Sequence, residues 1–180
     1  MWRRGSRQSE ERERIVKDPV RSRERTMNRA VRLLAAKPRS ITELRDRLLE
    51  KLWTDDAIVD SVIDKLKEYK YLDDEQFARD VAMSKLRQKP QGRRRLQQSM
   101  SMKKLERDVV DEAIKAAYET LPEEGLIELA IAKRLRLKGI PATREETKKF
   151  YDHLLRQGFD YSLIRSKMEA ALTGELRYDD

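Results

Sequence analysis

Positive charge is concentrated in one stretch near the middle of the chain. Between Lys85 and Lys104 the sequence has eight basic residues and no acidic one. These residues are Lys85, Arg87, Lys89, Arg93, Arg94, Arg95, Lys103 and Lys104. Guanidinium and ammonium groups bind phosphate and carboxylate oxygens, so this basic run predicts an anionic or polyanionic partner. DNA phosphates and acidic side chains of a protein both remain open, as does a simple solvated basic face.

For the other residues whose side chains could take part in chemistry, we expect structural roles. Asp73, Asp74 and Glu75 follow apolar Leu72 and precede a helical pattern, so we expect a helix start capped by Asp73 rather than a metal cluster. The only histidine, His153, lies at the edge of a helical stripe and is expected to be packed or solvated. The sequence has no cysteine, no glycine-rich phosphate loop and no nucleophile–base set. No catalytic residue, metal site or cofactor is therefore predicted.

Composition narrows the class of protein. The net charge is +8, and charged residues make up 41% of the chain while aromatic residues make up 6%. This balance favours exposed helices with narrow apolar stripes. No apolar run approaches the ~20 residues of a membrane span, and no signal peptide is visible. We expect a cytoplasmic protein that does not associate with membranes.

A repeated pattern organises the chain from Thr26 onward, where the apolar residues follow a helical period. A shift of 52 residues places Ala30 on Ala82, Leu34 on Leu86, Pro38 on Pro90, Leu44 on Leu96, Leu48 on Met100, Trp53 on Leu105, Ile58 on Val110 and Val62 on Ile114. A further shift of 54 places Leu96 on Phe150, Met100 on Leu154, Leu105 on Phe159, Val110 on Ile164 and Ile114 on Met168. Chance does not align a helix breaker together with seven apolar positions.

These shifts predict an all-α fold of three tandem three-helix repeats that form an elongated, curved stack. The repeats are expected at residues 26–72, 73–119 and 120–172. Residues 1–25 are expected to form a basic, flexible tail with at most a short helix near Ser9–Lys17, and residues 173–180 a C-terminal tail. A three-helix unit of ~50 residues is near the lower limit of independent stability, so each repeat should lean on its neighbour.

Local signals predict how individual helices begin and pack. In the first repeat, Ser40 and Thr54 should cap the second and third helices. Trp53 falls on a core position of the repeat, and Tyr69 and Tyr71 should pack between the first two repeats. The buried stripe of the second helix is predicted to be Leu44, Leu48 and Leu52.

One signal concerns how the second helix of a repeat ends. Gly158 should end such a helix in a left-handed conformation, and Lys104 should occupy the equivalent place in the second repeat.

Four segments carry a family resemblance, namely Ala30–Arg45 (AVRLLAAKPRSITELR), Tyr71–Arg79 (YLDDEQFAR), Gly92–Leu96 (GRRRL) and Arg156–Tyr161 (RQGFDY). In this order and spacing they resemble the RecX family of bacterial recombination regulators, over about Thr26 to Leu172. The Tyr71–Arg79 segment is the most specific. The family tends to place Lys-Gly before an apolar residue at the end of each second helix, whereas here that glycine occurs only as Gly158.

The resemblance implies a protein that binds the RecA recombinase, usually as its filament on DNA, and inhibits its ATPase, strand-exchange and coprotease activities. We also expect a monomer that uses no cofactor. On this hypothesis the protein lies in the filament groove, and Arg93, Arg94 and Arg95 face the filament. The alternative is a non-specific or helix-turn-helix-like DNA-binding protein that acts without RecA, because three-helix units with short turns resemble DNA-binding modules.

Overall fold

The computed structural model of the protein describes residues 16–173. The short helix predicted near Ser9–Lys17 and most of both predicted tails lie outside these residues. Within them the chain forms nine α-helices and no strand. The helices are α1 (Pro19–Ala36), α2 (Ile41–Leu49), α3 (Asp56–Glu68), α4 (Asp74–Gln88), α5 (Arg93–Ser101), α6 (Arg107–Thr120), α7 (Glu123–Lys138), α8 (Arg144–Arg156) and α9 (Tyr161–Thr173). Of these described helices, none has the length and apolar character needed to cross a bilayer.

The all-α class and the tandem three-helix repeats are confirmed, because residues at equivalent repeat positions are buried. Each repeat is a triplet of consecutive helices, and its second helix is α2, α5 or α8. The first equivalent position of these helices holds Leu44, Leu96 or Phe150, and each is at most 2% exposed. The next position one helical turn later holds Leu48, Met100 or Leu154, all at 0%. Side chains at i and i+4 share one helix face, so each second helix presents the same two-residue apolar face to its core.

Helices α1, α2 and α3 form one compact unit with its own core. The buried residues of this core are Ala30, Leu44, Leu48, Val59, Val62, Ile63, Leu66 and Leu72. Helix α1 begins at Pro19, where the Asp18 carboxylate accepts hydrogen bonds from the N–H groups of Val20 and Arg21. Proline suits the first helical position, since its missing N–H would have no partner there. The helix therefore extends into the segment predicted to be a tail.

Three predictions for the first repeat are wrong. Asp55, not Thr54, caps α3, and its Oδ1 accepts the Ile58 N–H at 2.8 Å. Thr54 is instead buried, with its hydroxyl 3.0 Å from that of Thr26. Leu52 is 43% exposed, because α2 ends at Leu49 and the helical period stops before it. Trp53 is only partly buried and packs under the Arg25 guanidinium rather than in the core.

Helices α4 to α9 form a second unit with one continuous core. Its largest fully buried side chains are Leu86, Leu96, Met100, Ile127, Ile131, Leu154, Phe159 and Ile164, with Phe150 beside them. These residues come from both of the later triplets, so each triplet completes the hydrophobic core of the other. This sharing accords with the marginal stability of a unit of ~50 residues.

Left-handed backbone ends several helices. The Phe159 N–H donates to the Leu154 carbonyl and the Gly158 N–H to that of Leu155, with Gly158 at φ +89°, which confirms the predicted Schellman motif. Lys104 has φ +52°, as predicted. Lys70 has φ +60° at the end of α3, which the sequence did not indicate. Tyr69 and Tyr71, predicted to pack between repeats, are 55% and 71% exposed.

Candidate partner-binding surface

The eight residues of the basic run lie at four places along the second triplet. Lys85 and Arg87 are in the last turn of α4, where cations also interact favourably with the helix dipole. Lys89 lies in the following loop, and Arg93, Arg94 and Arg95 form the first turn of α5. Lys103 and Lys104 follow the end of α5. The run is therefore grouped around α5 and the end of α4.

Arg93 is held by the third triplet. Its backbone N–H donates to Oε1 of Glu123 at 2.9 Å, and its Nε lies 3.3 Å from Oε2 of the same residue. Its guanidinium stacks 4.7 Å from the centroid of the Tyr118 ring. Gly92 provides no side-chain cap for α5, so Glu123 supplies an acceptor and a negative charge at that helix N-terminus.

Tyr118 links the same junction to the loop before α5. Its hydroxyl donates to the buried Gln91 carbonyl at 2.9 Å. Burial and the nearby Glu123 carboxylate raise the pKa of the Tyr118 phenol, so the group remains a hydrogen-bond donor at neutral pH. Arg93 is thus one member of a polar cluster that joins two repeats.

The other two arginines of the α5 start differ from each other. Arg95 donates from Nη1 to the Arg156 carbonyl at 2.9 Å, across the junction with α8. Arg94 is exposed and makes no hydrogen bond or ion pair within residues 16–173. Its charge helps to hold the pKa of Asp160 below the ordinary value, after the stronger effect of hydrogen bonds from Ser162. All three arginines are exposed, but among the described residues only Arg94 of the three is without an internal hydrogen bond or ion pair, so the expectation that Arg93, Arg94 and Arg95 face a filament stays a prediction.

Only part of the basic run is open to a partner, namely the residues without an internal hydrogen bond or ion pair. Within the described part of the chain, Lys85, Arg87, Lys89 and Arg94 form no hydrogen bond or ion pair; Arg87, Lys89 and Arg94 are exposed, and Lys85 is partly buried. These four side chains are available to an anionic partner without loss of an internal hydrogen bond or ion pair. Lys89 faces a cavity that it shares with α7 and α8.

A second basic surface lies on α1 and was missed from the sequence. Arg25 stacks 4.4 Å from the Trp53 ring centroid, and this pair stands between two grooves of about 310 Å³ and 380 Å³. One groove is lined by Arg25, Asn28, Arg29, Arg32, Leu33 and Trp53, and the other by Lys17, Asp18, Arg21, Ser22, Arg25 and Trp53. The Ser22 hydroxyl donates to the Trp53 carbonyl and so fixes the aromatic residue to α1. The spacing of Arg21, Arg25 and Arg32 was the available signal, but it spanned the predicted tail boundary.

Three-helix domains of one family match this chain in tandem. The model described as "RecX, first three-helix domain" matches residues 27–66, and "RecX, second three-helix domain" matches residues 73–114. Among solved structures, the chain is similar to RecX from Lactobacillus salivarius, with a TM-score of 0.73 at 18% identity over 83% of this chain and 96% of that one. That structural likeness supports the fold.

Sequence identity with curated relatives establishes the family of this chain. The regulatory protein RecX of Prosthecochloris aestuarii is 31% identical over 149 residues, which cover 83% of this chain and 95% of the relative. The regulatory protein RecX of Chlorobaculum tepidum is 30% identical over 155 residues, which cover 86% of this chain and 92% of the relative. With matched family domains in the same order and nearly full coverage of these relatives, the chain belongs to the RecX family of regulatory proteins.

Proposed function

We propose that this protein binds the RecA recombinase, mainly as the RecA–DNA filament, and inhibits its ATPase, strand-exchange and coprotease activities. It acts as a cytoplasmic monomer without catalysis of its own, and so modulates homologous recombination and DNA repair. Membership of the RecX family supports the regulatory role. The RecA partner is the proposal that follows from that membership.

The observation that carries the proposed contact is the open part of the basic run. Lys85, Arg87 and Arg94 lie on α4 and α5 without an internal hydrogen bond or ion pair in the described residues. A nucleoprotein filament offers DNA phosphates and acidic protein side chains, and arginine binds both kinds of oxygen through the same planar fork. Arg93 and Arg95 support this surface indirectly, because their contacts fix the start of α5 against the third triplet.

The test is a charge-removal variant that leaves the junction intact. Lys85, Arg87 and Arg94 are replaced together by Ala, and inhibition of the DNA-dependent ATPase of RecA is measured. We expect inhibition to weaken by up to about 100-fold, since three charge contacts of up to ~1 kcal/mol each are lost. The matched control removes three exposed cations elsewhere, Arg107, Lys115 and Lys148, and should inhibit like the parent.

A pull-down comparison distinguishes the partner. Free RecA, bare single-stranded DNA and the assembled filament are each offered to the parent protein and to the two triple variants. Preferential capture by the filament, lost only in the Lys85/Arg87/Arg94 variant, supports the proposal. Equal inhibition by both triple variants would show that the basic run is a solvated face.

A DNA-binding role that needs no RecA is the second candidate, favoured by the α1 surface. A partly exposed tryptophan between arginine-lined grooves suits single-stranded DNA, where bases stack on aromatic rings and cations contact the backbone. On this candidate, DNA affinity falls with salt by a slope of about −0.7 per neutralised phosphate. Trp53→Ala should then weaken binding to bare DNA, and the fluorescence of Trp53 should respond to DNA in a Trp2→Phe background. Binding that is indifferent to salt and to Trp53→Ala contradicts this role.

A further inference from the structure

A cavity of about 210 Å³ lies within the second unit, between α7, α8 and the loop after α4. Its lining residues are Lys89, Pro90, Ala130, Lys133, Arg134, Leu137, Lys138, His153 and Gln157. Helix α7 contributes five of them, because residues 130, 133, 134, 137 and 138 share one helical face. The wall therefore combines an apolar surface with a set of polar tips.

The charged side chains that line the cavity are all cationic. Lys89, Lys133, Arg134 and Lys138 bring four cations, and the lining includes no carboxylate. None of these cations forms an ion pair within the described part of the chain, although Arg134 also stacks 5.0 Å from the Phe150 ring centroid. Like charges that line one cavity repel one another, and an anion between them offsets that repulsion.

A buried amide adds a second, independent feature. Gln157 is only 8% exposed, and its Nε2 lies 2.7 Å from Nε2 of His153. Its Oε1 is buried and has no hydrogen-bond partner among the described residues. Leaving such a group unsatisfied typically costs ~1–3 kcal/mol, so the amide favours a further polar partner at this position.

The tautomer of His153 determines whether the Gln157 side chain presents its NH₂ group or its oxygen to the cavity. Burial, with the charges of Arg134, Arg156 and Lys89, holds the pKa of His153 below its ordinary value, so the ring is neutral at pH 7. A neutral ring that accepts at Nε2 binds the Gln157 NH₂ group. The other tautomer donates from Nε2 to the amide oxygen and turns the NH₂ group toward the alternative side. In that arrangement the amide supplies a donor that an anion can accept.

We propose that this cavity binds a phosphate group, which Lys89, Lys133, Arg134 and Lys138 neutralise and to which Gln157 donates. Phosphate fits better than a carboxylate, because its additional oxygens can accept from several donors at once and the free ion carries a second negative charge. The group is either free phosphate or a phosphate of a nucleic-acid backbone. This inference goes beyond the proposed function, since it requires neither RecA nor the open arginine of α5.

His153 is the only histidine of the chain, so its ring signals in a ¹H–¹⁵N NMR spectrum report on this cavity alone. Inorganic phosphate is titrated into the full-length protein at constant ionic strength, with chloride as the reference salt. We expect a saturable shift of the His153 signals and a rise in the His153 pKa, because the bound anion offsets the neighbouring cations. A single-stranded oligonucleotide is titrated in parallel.

Two matched variants make the result specific. Lys133→Gln combined with Lys138→Gln should weaken the response about tenfold, the usual effect of losing two partly exposed charge contacts. Lys148→Gln combined with Lys149→Gln removes two exposed cations from α8 outside the lining and should respond like the parent. Melting temperatures show that each variant is folded. Because RecA is absent, the outcome is separate from the filament test.

The titrations distinguish a free-phosphate site, a backbone-phosphate site and the absence of a phosphate site. A saturable response to inorganic phosphate that depends on Lys133 and Lys138 supports a free-phosphate site. A response to the oligonucleotide alone, with the same dependence, supports a backbone phosphate as the ligand. No saturable response to either probe overturns the proposal. A response to poly-glutamate in the absence of a phosphate response also overturns it, and assigns the cavity to carboxylates.

Discussion

Gly92 and Gly158 meet backbone to backbone where α5 begins and α8 ends. The Gly92 N–H donates to the Gln157 carbonyl at 3.0 Å, and a Cβ on Gly92 would lie 2.2 Å from the carbonyl oxygen of Gly158. A Cβ on Gly158 would lie 2.4 Å from the Arg95 backbone nitrogen. Both approaches are far inside van der Waals contact. The two glycines therefore set how closely the second and third triplets pack.

The first prediction is that Gly92→Ala destabilises the protein by about 3 kcal/mol or more. Gly92 has φ −84°, which alanine adopts freely, so the cost arises from the overlap with the Gly158 backbone and not from strain in its own conformation. Urea denaturation of the full-length protein measures the change. Gly158→Ala should also be strongly destabilising, because it adds the cost of a left-handed φ to the same kind of overlap.

Gly125 provides the control for these changes. It lies within α7, and a Cβ there would meet nothing within 4 Å. Gly125→Ala should stabilise the protein by about 0.5–1 kcal/mol, since alanine loses less backbone entropy in a helix. Similar effects of Gly92→Ala and Gly125→Ala would contradict the close packing of α5 against α8.

The second prediction concerns the cap that Glu123 supplies to α5. Glu123→Ala should cost about 1–2 kcal/mol, because it removes a charge-assisted acceptor from the Arg93 N–H and leaves the Arg93 guanidinium without its ion pair. Thermal denaturation measures the loss. Glu124→Ala is the matched control, since Glu124 shares the first turn of α7 but is exposed. If the two variants have the same melting temperature, Glu123 contributes only through the dipole of its own helix.

Much of this fold was predictable because its information is local. The 52- and 54-residue shifts identified the apolar faces, and Leu44, Leu96 and Phe150 are buried as those shifts require. Ser40 caps α2 through the Glu43 N–H, which a capping-box pattern reveals without tertiary knowledge. The Gly158 helix end was also predictable, since glycine before an apolar residue is a strong local signal.

The errors arose where a distant residue decides between local options. Thr54 and Asp55 can each cap a helix, and the choice fell to Asp55 because Thr54 hydrogen-bonds with Thr26 across the repeat. Arg93 had no nearby acid in the sequence, yet Glu123, 30 residues away, neutralises it. A count of charge along the chain cannot detect such pairs.

The phosphate cavity was missed for a related reason. Lys133, Arg134 and Lys138 belong to a segment whose charges cancel overall, so its composition gave no signal. Only the packing of α7 beside the loop after α4 places these cations with Lys89.

The third prediction concerns left-handed lysines. Lys70 and Lys104 have φ of +60° and +52°, which a side chain with a Cβ adopts at a cost of ~1–2 kcal/mol. Lys70→Gly and Lys104→Gly should each stabilise the protein by about 0.5–1 kcal/mol, after allowance for the greater entropy of glycine in the unfolded chain. Lys103→Gly is the control, because Lys103 is not left-handed and should gain nothing. Destabilisation by both of the first two changes would show that their side-chain contacts outweigh backbone strain.

The last prediction is a pH dependence in the first repeat. Arg45 joins α2 to α3, with Nη2 2.7 Å from Asp56 Oδ1 and Nε 2.8 Å from Asp60 Oδ1. Its hydrogen bond, and to a lesser degree its charge, hold the pKa of Asp60 below the ordinary value. A carboxyl whose pKa is lower in the folded state stabilises that state above its unfolded pKa of about 3.9, and the contribution disappears as the pH falls through the folded value.

Asp60→Asn should therefore lower the stability of α2 and α3 at pH 7, and this effect should shrink as the pH falls below about 3.9 and disappear below the folded pKa of Asp60. The loss at pH 7 should be no more than about 1 kcal/mol, because both side chains are partly exposed to solvent and salt. Hydrogen exchange of α2 and α3 amides in the full-length protein measures it. Asp64→Asn, on the same helix but with only a 4.0 Å approach to Lys67, should show a smaller dependence. An Asp60→Asn effect of equal size at pH 3 and pH 7 would mean that the ion pair contributes nothing and that the asparagine disturbs packing instead.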